Sequence, residues 1–238
     1  MKKIIYSFLL ASTCLFSSCD SLKNIAGNLL SEADAANAIR EALLIGSQNG
    51  TATLGQKGSF SRDVLLAAIL PENLQGVVRT MDQLGLTSQL DRFTKTLDNA
   101  ATETVTRSAP IFVNGIKQIT IRDAISIVKN GGTSATDYLR RSVGDTLRNA
   151  VAPIMRTALN DYKIAQEWDK IVAPVKAIMG NKAKLNLGLD NILAIMITNQ
   201  MFKKIEEQEV NIRSNAAART STTLQRVFGK DWNTSTGK

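Results

Sequence analysis

Apolar residues recur at the spacing of about 3.6 that marks a helix face, and they do so in one segment after another. Each segment is bounded by a capping residue, a glycine or a proline. Ser31-Glu32-Ala33-Asp34 has the form of a capping box, and Ala38, Ala42 and Gly46 follow at every fourth position beside Ile39 and Leu43, a stripe small enough to let a second helix come close. Gln48 to Ser59 is rich in Gly, Thr, Ser and Asn and reads as a loop. Val64 to Leu70 is an apolar run closed by Pro71, open between a helix and a buried extended stretch. Pro71 then starts a stripe of Leu74, Val78, Met81 and Leu84 that ends near Gly85. Thr87 or Ser88 caps the next helix, through Leu90, Phe93, Leu97, Ala101 and Val105, and Pro110 restarts or kinks the chain. Thr120-Ile121-Arg122-Asp123 is a further capping box, and its helix stops at Gly131-Gly132. Thr133 or Ser134 opens a helix carrying Leu139, Val143, Leu147, Val151 and Ile154, broken by Pro153. A helix from Lys163 to Met179 ends at Gly180, Asp190 caps a long one through Ile192, Ile195, Met196, Phe202 and Ile205, and a short one carries Leu224, Val227 and Phe228 up to Gly229.

The segment Ile111 to Ile119 holds an Asn114-Gly115 pair between apolar runs, which is a hairpin signal. Phe112, Ile116 and Ile119 also fit a helix, and with no other strand pair to complete a sheet the helix is favoured. The expected fold is therefore all-α, a single multi-helix domain of the bundle kind.

The chain has no histidine, which excludes nucleophile pairs and zinc sites that depend on that residue. Its 44% hydrophobic and 21% charged residues are those of a globular domain. Lys2 and Lys3 precede an apolar run from Ile4 to Phe16, too short to span a bilayer, and small residues follow it, so residues 1–18 read as a secretory signal peptide. Leu15-Phe16-Ser17-Ser18-Cys19 resembles the bacterial lipobox, in which cleavage precedes a lipid-modified cysteine, with Phe16 in place of the usual Leu. Of the two cysteines, Cys14 falls within the leader, so Cys19 is the sole cysteine of the mature chain and is best explained as a lipidation site. Residues 19–30 form the lipidated tether, 31–229 the helical domain and 230–238 a polar tail expected to be disordered. The expected location is the cell envelope of a Gram-negative bacterium, anchored by acyl chains, on the periplasmic side of the inner or outer membrane. The formal charge of +8 falls to +6 without Lys2 and Lys3, a basic surface suited to anionic lipid headgroups. No aromatics interleave with the basic residues, so nucleic acid is not an expected partner.

Phe112-Val113-Asn114-Gly115-Ile116-Lys117-Gln118-Ile119-Thr120, then Asp123-Ala124, Gly131 and Ala135-Thr136-Asp137-Tyr138-Leu139-Arg140-Arg141, resemble the core motif of the bacterial envelope family known as domain of unknown function 4197. Leu70-Pro71-Glu72-Asn73-Leu74, Glu206-Glu207-Gln208-Glu209 and the stretch Ala217 to Gly229 fit its other elements, so the resemblance covers about residues 31–229. The family usually has Ala where Gly115 stands, which favours helix there, and Met at the position of Ile119. The resemblance implies an all-helical, secreted or lipid-anchored protein and brings no activity, ligand or catalytic residue.

Two clusters carry chemistry. Glu206, Glu207 and Glu209 can serve acid/base work or a hard cation, but Lys203 before Glu207 and Arg213 after Glu209, each four residues away, make a solvated ion-paired face the simpler reading. Lys117, Asp123, Tyr138, Arg140 and Arg141 lie near helix ends and form a possible ligand-binding group for a carboxylate or phosphate, against a structural network of caps and cross-helix pairs. Asn199, inside an apolar run, is expected to be buried and bonded between helices. No catalytic residue, metal or cofactor is expected. A non-catalytic binding or scaffolding lipoprotein is favoured over a carboxylate-dependent hydrolase of an envelope glycan.

Overall fold

A computed structural model describes residues 30–70, 74–179 and 188–230. The leader, Cys19, nearly all of the tether, Pro71-Glu72-Asn73, Gly180 and the tail from residue 231 lie outside the described residues. The described residues form nine α-helices and contain no strand: α1 (Glu32–Leu54), α2 (Arg62–Ile69), α3 (Leu74–Gln83), α4 (Thr87–Gln118), α5 (Ala124–Asn130), α6 (Ser134–Asp161), α7 (Ile164–Met179), α8 (Leu189–Ser214) and α9 (Thr222–Phe228), with one 3-10 turn at Ala216–Ala218.

The four long helices α1, α4, α6 and α8 form a ring in chain order, each packed on the two beside it and barely touching the one across. Neighbours run antiparallel. Gly46 and Gly50 of α1 face Ile205 and Met201 of α8, Thr104 and Gly115 of α4 face Met155 and Leu147 of α6, and Arg140 and Arg156 of α6 pair with Glu206 and Asp190 of α8. The result is an up-down-up-down bundle. Its core runs from Ile39 and Leu43 through Leu97, Val105 and Phe112 to Leu147, Ile197 and Phe202. Helices α2, α3 and α7 close one end; α5, the 3-10 turn and α9 close the other.

Three expected breaks are not breaks. Helix α1 continues through the segment read as a loop from Gln48, because Gly46, Ser47, Gly50 and Leu54 extend its buried face. Glycine and serine there serve close packing. A Cβ on Gly46 would lie 2.9 Å from the Ile205 Cα, a backbone atom that cannot yield alone. Gly46→Ala therefore destabilises the domain by up to about 2 kcal/mol, overpacking of about 1–3 kcal/mol set against a helix-propensity gain of about 1 kcal/mol. At Gly50 the nearest atoms are Lys204 Cβ at 3.1 Å and the adaptable Met201 thioether, so Gly50→Ala stays within about 0.5 kcal/mol of wild type in urea unfolding.

Pro110 and Pro153 likewise sit inside continuous helices, as does Pro174. Each is exposed, and so are Thr106, Asn149 and Lys170 four residues earlier, so the carbonyl deprived of its N–H partner faces water. The buried face passes Pro110 and Pro153 in register: Val105, Ser108, Phe112 and Ile116 in α4, Leu147, Val151, Met155 and Ala158 in α6. The 111–118 segment is thus helical, as favoured, and not a hairpin. The open Val64–Leu70 segment is helix α2, capped by the Ser61 hydroxyl accepting from Val64 N. In α3 the buried residues include Val77 and Met81, while Leu84 is exposed.

Between α1 and α2, the buried Asp98 of α4 accepts from Gly58 N at 2.6 Å and Phe60 N at 3.0 Å, which fixes the turn and seats the Phe60 ring in the core. Gly58 there has a φ of +87°.

Candidate functional site

At the end of the bundle where α1 begins, helix ends are capped by charged side chains from other helices. Helix α8 supplies two of them. Glu209, 1% exposed, accepts from Ala135 N at 3.0 Å with one oxygen and from Thr136 N at 2.8 Å and Thr136 Oγ1 at 2.7 Å with the other. Those are first-turn amides of α6, where the helix dipole favours an anion. One turn along α8, Arg213 holds Glu209 Oε1 at 2.8 Å and donates to Val128 O and Ile127 O at the end of α5, where the dipole favours a cation. Its guanidinium lies 4.9 Å from the centre of the Phe228 ring of α9. The pair thus clamps both helices around the sharp Gly131-Gly132 reversal, where both glycines have positive φ.

The same device recurs around this end. Glu32 of α1 accepts from Ala124 N at 2.7 Å and so caps α5. Arg40 donates to Ile119 O at the end of α4, and Arg219 donates to Ile212 O and Arg213 O at the end of α8. The Tyr138 hydroxyl donates to Thr120 O at 2.7 Å and accepts from Arg122 N, holding the α4–α5 connection against α6.

Four side-chain caps expected locally are not formed by the residues expected. Asp123 precedes α5 with a left-handed φ of 54° and no side-chain cap, and Thr120 contributes only its carbonyl. Neither Thr133 nor Ser134 caps α6 with its side chain: Thr133 donates to Asp137 and Ser134 to Gly131 O. Thr87 begins α4 after Leu86 and bonds Asp82. Asp190 lies in the first turn of α8 after Gly188 and pairs with Arg156 at 2.6 Å. The Ser31 cap is present as expected, although Asp34 pairs with Arg226 instead of completing a box, and Ser221 caps α9 by accepting from Leu224 N.

The carboxylate cluster also differs from its expected form. Glu209 is buried, not solvated. Glu206 pairs with Arg140, and Glu207 pairs with Lys204 at 2.7 Å, not with Lys203. Sequence held a signal for Glu209: with Ile205 and Ile212 it lies on one face of α8, so its ion pair had to be at the core. Asn199 is exposed; the buried polar residue of that run is its neighbour Thr198. Of the five proposed ligand-binding residues, Tyr138 serves the α4–α5 connection. Arg140 is engaged by Asp137 and Glu206 over the Phe202 ring, 5.1 Å from its centre. Lys117, Asp123 and Arg141 are exposed at the same end. They do not converge on a cavity.

An open groove of about 490 Å³ does lie between α1 and α8, lined by Asn49, Gly50, Thr53, Lys204, Glu207 and Gln208. Asn49 donates to Gln208 across it at 3.1 Å. It offers amides, a hydroxyl and one ion pair on an open surface. Among the described residues no three metal-ligating side chains come together, and no helix is long and apolar enough to cross a membrane.

No curated protein and no solved structure matches the chain. One protein family does. Its model, described as "Protein of unknown function (DUF4197)", matches residues 29–229, a span that begins three residues before α1 and ends one residue after α9. The whole bundle with its interlocked helix caps is the unit so matched, and the chain belongs to the DUF4197 family.

Proposed function

We propose that the protein is a bacterial cell-envelope lipoprotein, held by acyl chains on Cys19, whose bundle binds or scaffolds a partner at the periplasmic membrane surface without catalysing a reaction. The observation that carries the non-catalytic half is the engagement of its clustered carboxylates. Glu206, Glu207 and Glu209 are each ion-paired, and Glu209 is saturated by two amides, a hydroxyl and a guanidinium. A hydrolase working with carboxylates needs one of them protonated and both facing a bond in a cleft. The anchoring half is supported by Lys2-Lys3, the Ile4–Phe16 run and Cys19 as the sole cysteine after the leader.

Growth with a labelled fatty acid tests the reading. The wild-type protein takes up label and stays in the membrane pellet through a high-salt wash, and Cys19→Ser takes up none. A wild type without label, or a Cys19→Ser variant that retains it, overturns the anchor.

A further inference from the structure

The charge at the two ends of the bundle differs in a way that bears on how an anchored domain would stand. At the α1-start end, Lys117 closes α4, Arg122 lies in the α4–α5 connection, Lys129 is in the last turn of α5 and Arg141 is in the second turn of α6. All four are exposed and none has a carboxylate partner among the described residues. The exposed carboxylates near them are Asp123, Glu32 and Asp145; Glu32 is held on the amide of Ala124 and Asp145 pairs with Arg148. At the opposite end the exposed cations Lys57, Arg79, Arg92, Lys95 and Lys163 alternate with Asp63, Asp82, Asp91 and Asp161, and Arg62, Arg107 and Lys170 are ion-paired. Among the described residues, the excess of positive charge belongs to the end from which the chain leads back to Cys19.

We infer that this end of the bundle docks on the headgroups of an anionic phospholipid bilayer through Lys117, Arg122, Lys129 and Arg141. The inference rests on the anchor proposed above. Cys19 and Glu32 are thirteen residues apart, a span of at most about 45 Å when fully extended. The bundle, judged from the 28 residues of α6, is about 40 Å long. The α1-start end therefore reaches the bilayer with a short, slack tether, whereas the far end reaches it only with the tether drawn taut along the whole bundle. Within a Debye length of the surface the four cations then act together.

The test is a lysine footprint of the wild-type protein, purified in detergent from the membranes of the producing cells. Mass spectrometry first reads the acyl chains on Cys19. The protein is then reconstituted into vesicles of phosphatidylethanolamine, with or without phosphatidylglycerol, and treated with a water-soluble acetylating ester. On the anionic vesicles Lys117 and Lys129 react about fivefold more slowly than on the zwitterionic ones, the ratio expected from one cation's worth of surface attraction. Lys57, Lys95 and Lys170 at the other end react equally on both. The protection disappears in about 1 M salt, where the Debye length is about 3 Å. It also weakens in the Arg122→Gln/Arg141→Gln variant, whose helical circular dichroism is unchanged. Equal reactivity of all five lysines, protection of Lys57 or Lys95 instead, or protection indifferent to salt and to the variant overturns the docking while leaving an acylated anchor intact. A protein with no acyl mass on Cys19 overturns the anchor, and the docking with it.

Discussion

Glu209→Ala lowers the stability of the folded domain by about 3–5 kcal/mol, the range measured when one partner of a buried ion pair is removed. The effect has two parts. Arg213, whose side chain is 12% exposed, loses its counter-charge in a place where water cannot replace it. Ala135 N and Thr136 N, buried at the start of α6, lose their acceptor and are left unsatisfied. In a domain of this size each kcal/mol moves the thermal midpoint by about 2–4 °C, so a fall on the order of 10 °C is expected in a calorimetric scan. Glu209→Gln keeps an acceptor for one amide and is milder. Glu209→Ala with Arg213→Ala recovers part of the loss, because the stranded cation goes as well, and a double-mutant cycle reads that recovery as a coupling of about 0.5–3 kcal/mol. Additive effects of the two substitutions would show that the pair does not act as one clamp.

Phe202→Ala is the second large effect, at about 3–5 kcal/mol in urea or guanidinium unfolding. The ring is wholly buried on α8 and meets Phe112 of α4 edge-on, their centres 6.3 Å apart. It also underlies the Arg140 guanidinium and faces Gly144 of α6, so its removal opens a cavity where three of the four long helices meet. Phe202→Leu, which fills most of the space, costs about 1.5 kcal/mol or less. A Leu variant as damaged as the Ala variant would mean that the ring's edge-on contact and its cation dominate over volume.

How legible this protein is follows from what each residue needs to know. The buried stripes of α4, α6 and α8 are local facts of spacing, and Leu90, Phe93, Leu97, Ala101 and Val105 are all buried as their period implies. Gly131-Gly132 as a stop and Ser31 as a start are local too. The prolines misled because their local effect is real but small when the exposed carbonyl can turn to water and the buried face on both sides is already paid for by packing. Gln48–Leu54 misled because glycine and serine carry opposite meanings in a loop and in a close helix crossing, and only the partner helix distinguishes them. Asn199 misled because α8 is apolar almost all round between Ile192 and Phe202, where periodicity no longer points to one face.

By itself the sequence determined the secondary structure class, the family resemblance and the expectation of a lipidated Cys19. Each rests on composition, short-range spacing or a contiguous motif. Tertiary structure alone decided which charges are structural. Glu209 and Arg213 form an i,i+4 pair on paper, like any exposed pair on a helix. They become a buried clamp only because the last turns of α8 arrive at the junction of α5 and α6, more than seventy residues away in the chain, where an amide terminus and a carbonyl terminus lie side by side. The caps of α5 and α6 are likewise supplied by Glu32 and Glu209 and not by the residues that precede them. A helix end needs an acceptor or a donor, and chain order does not say which helix will bring it.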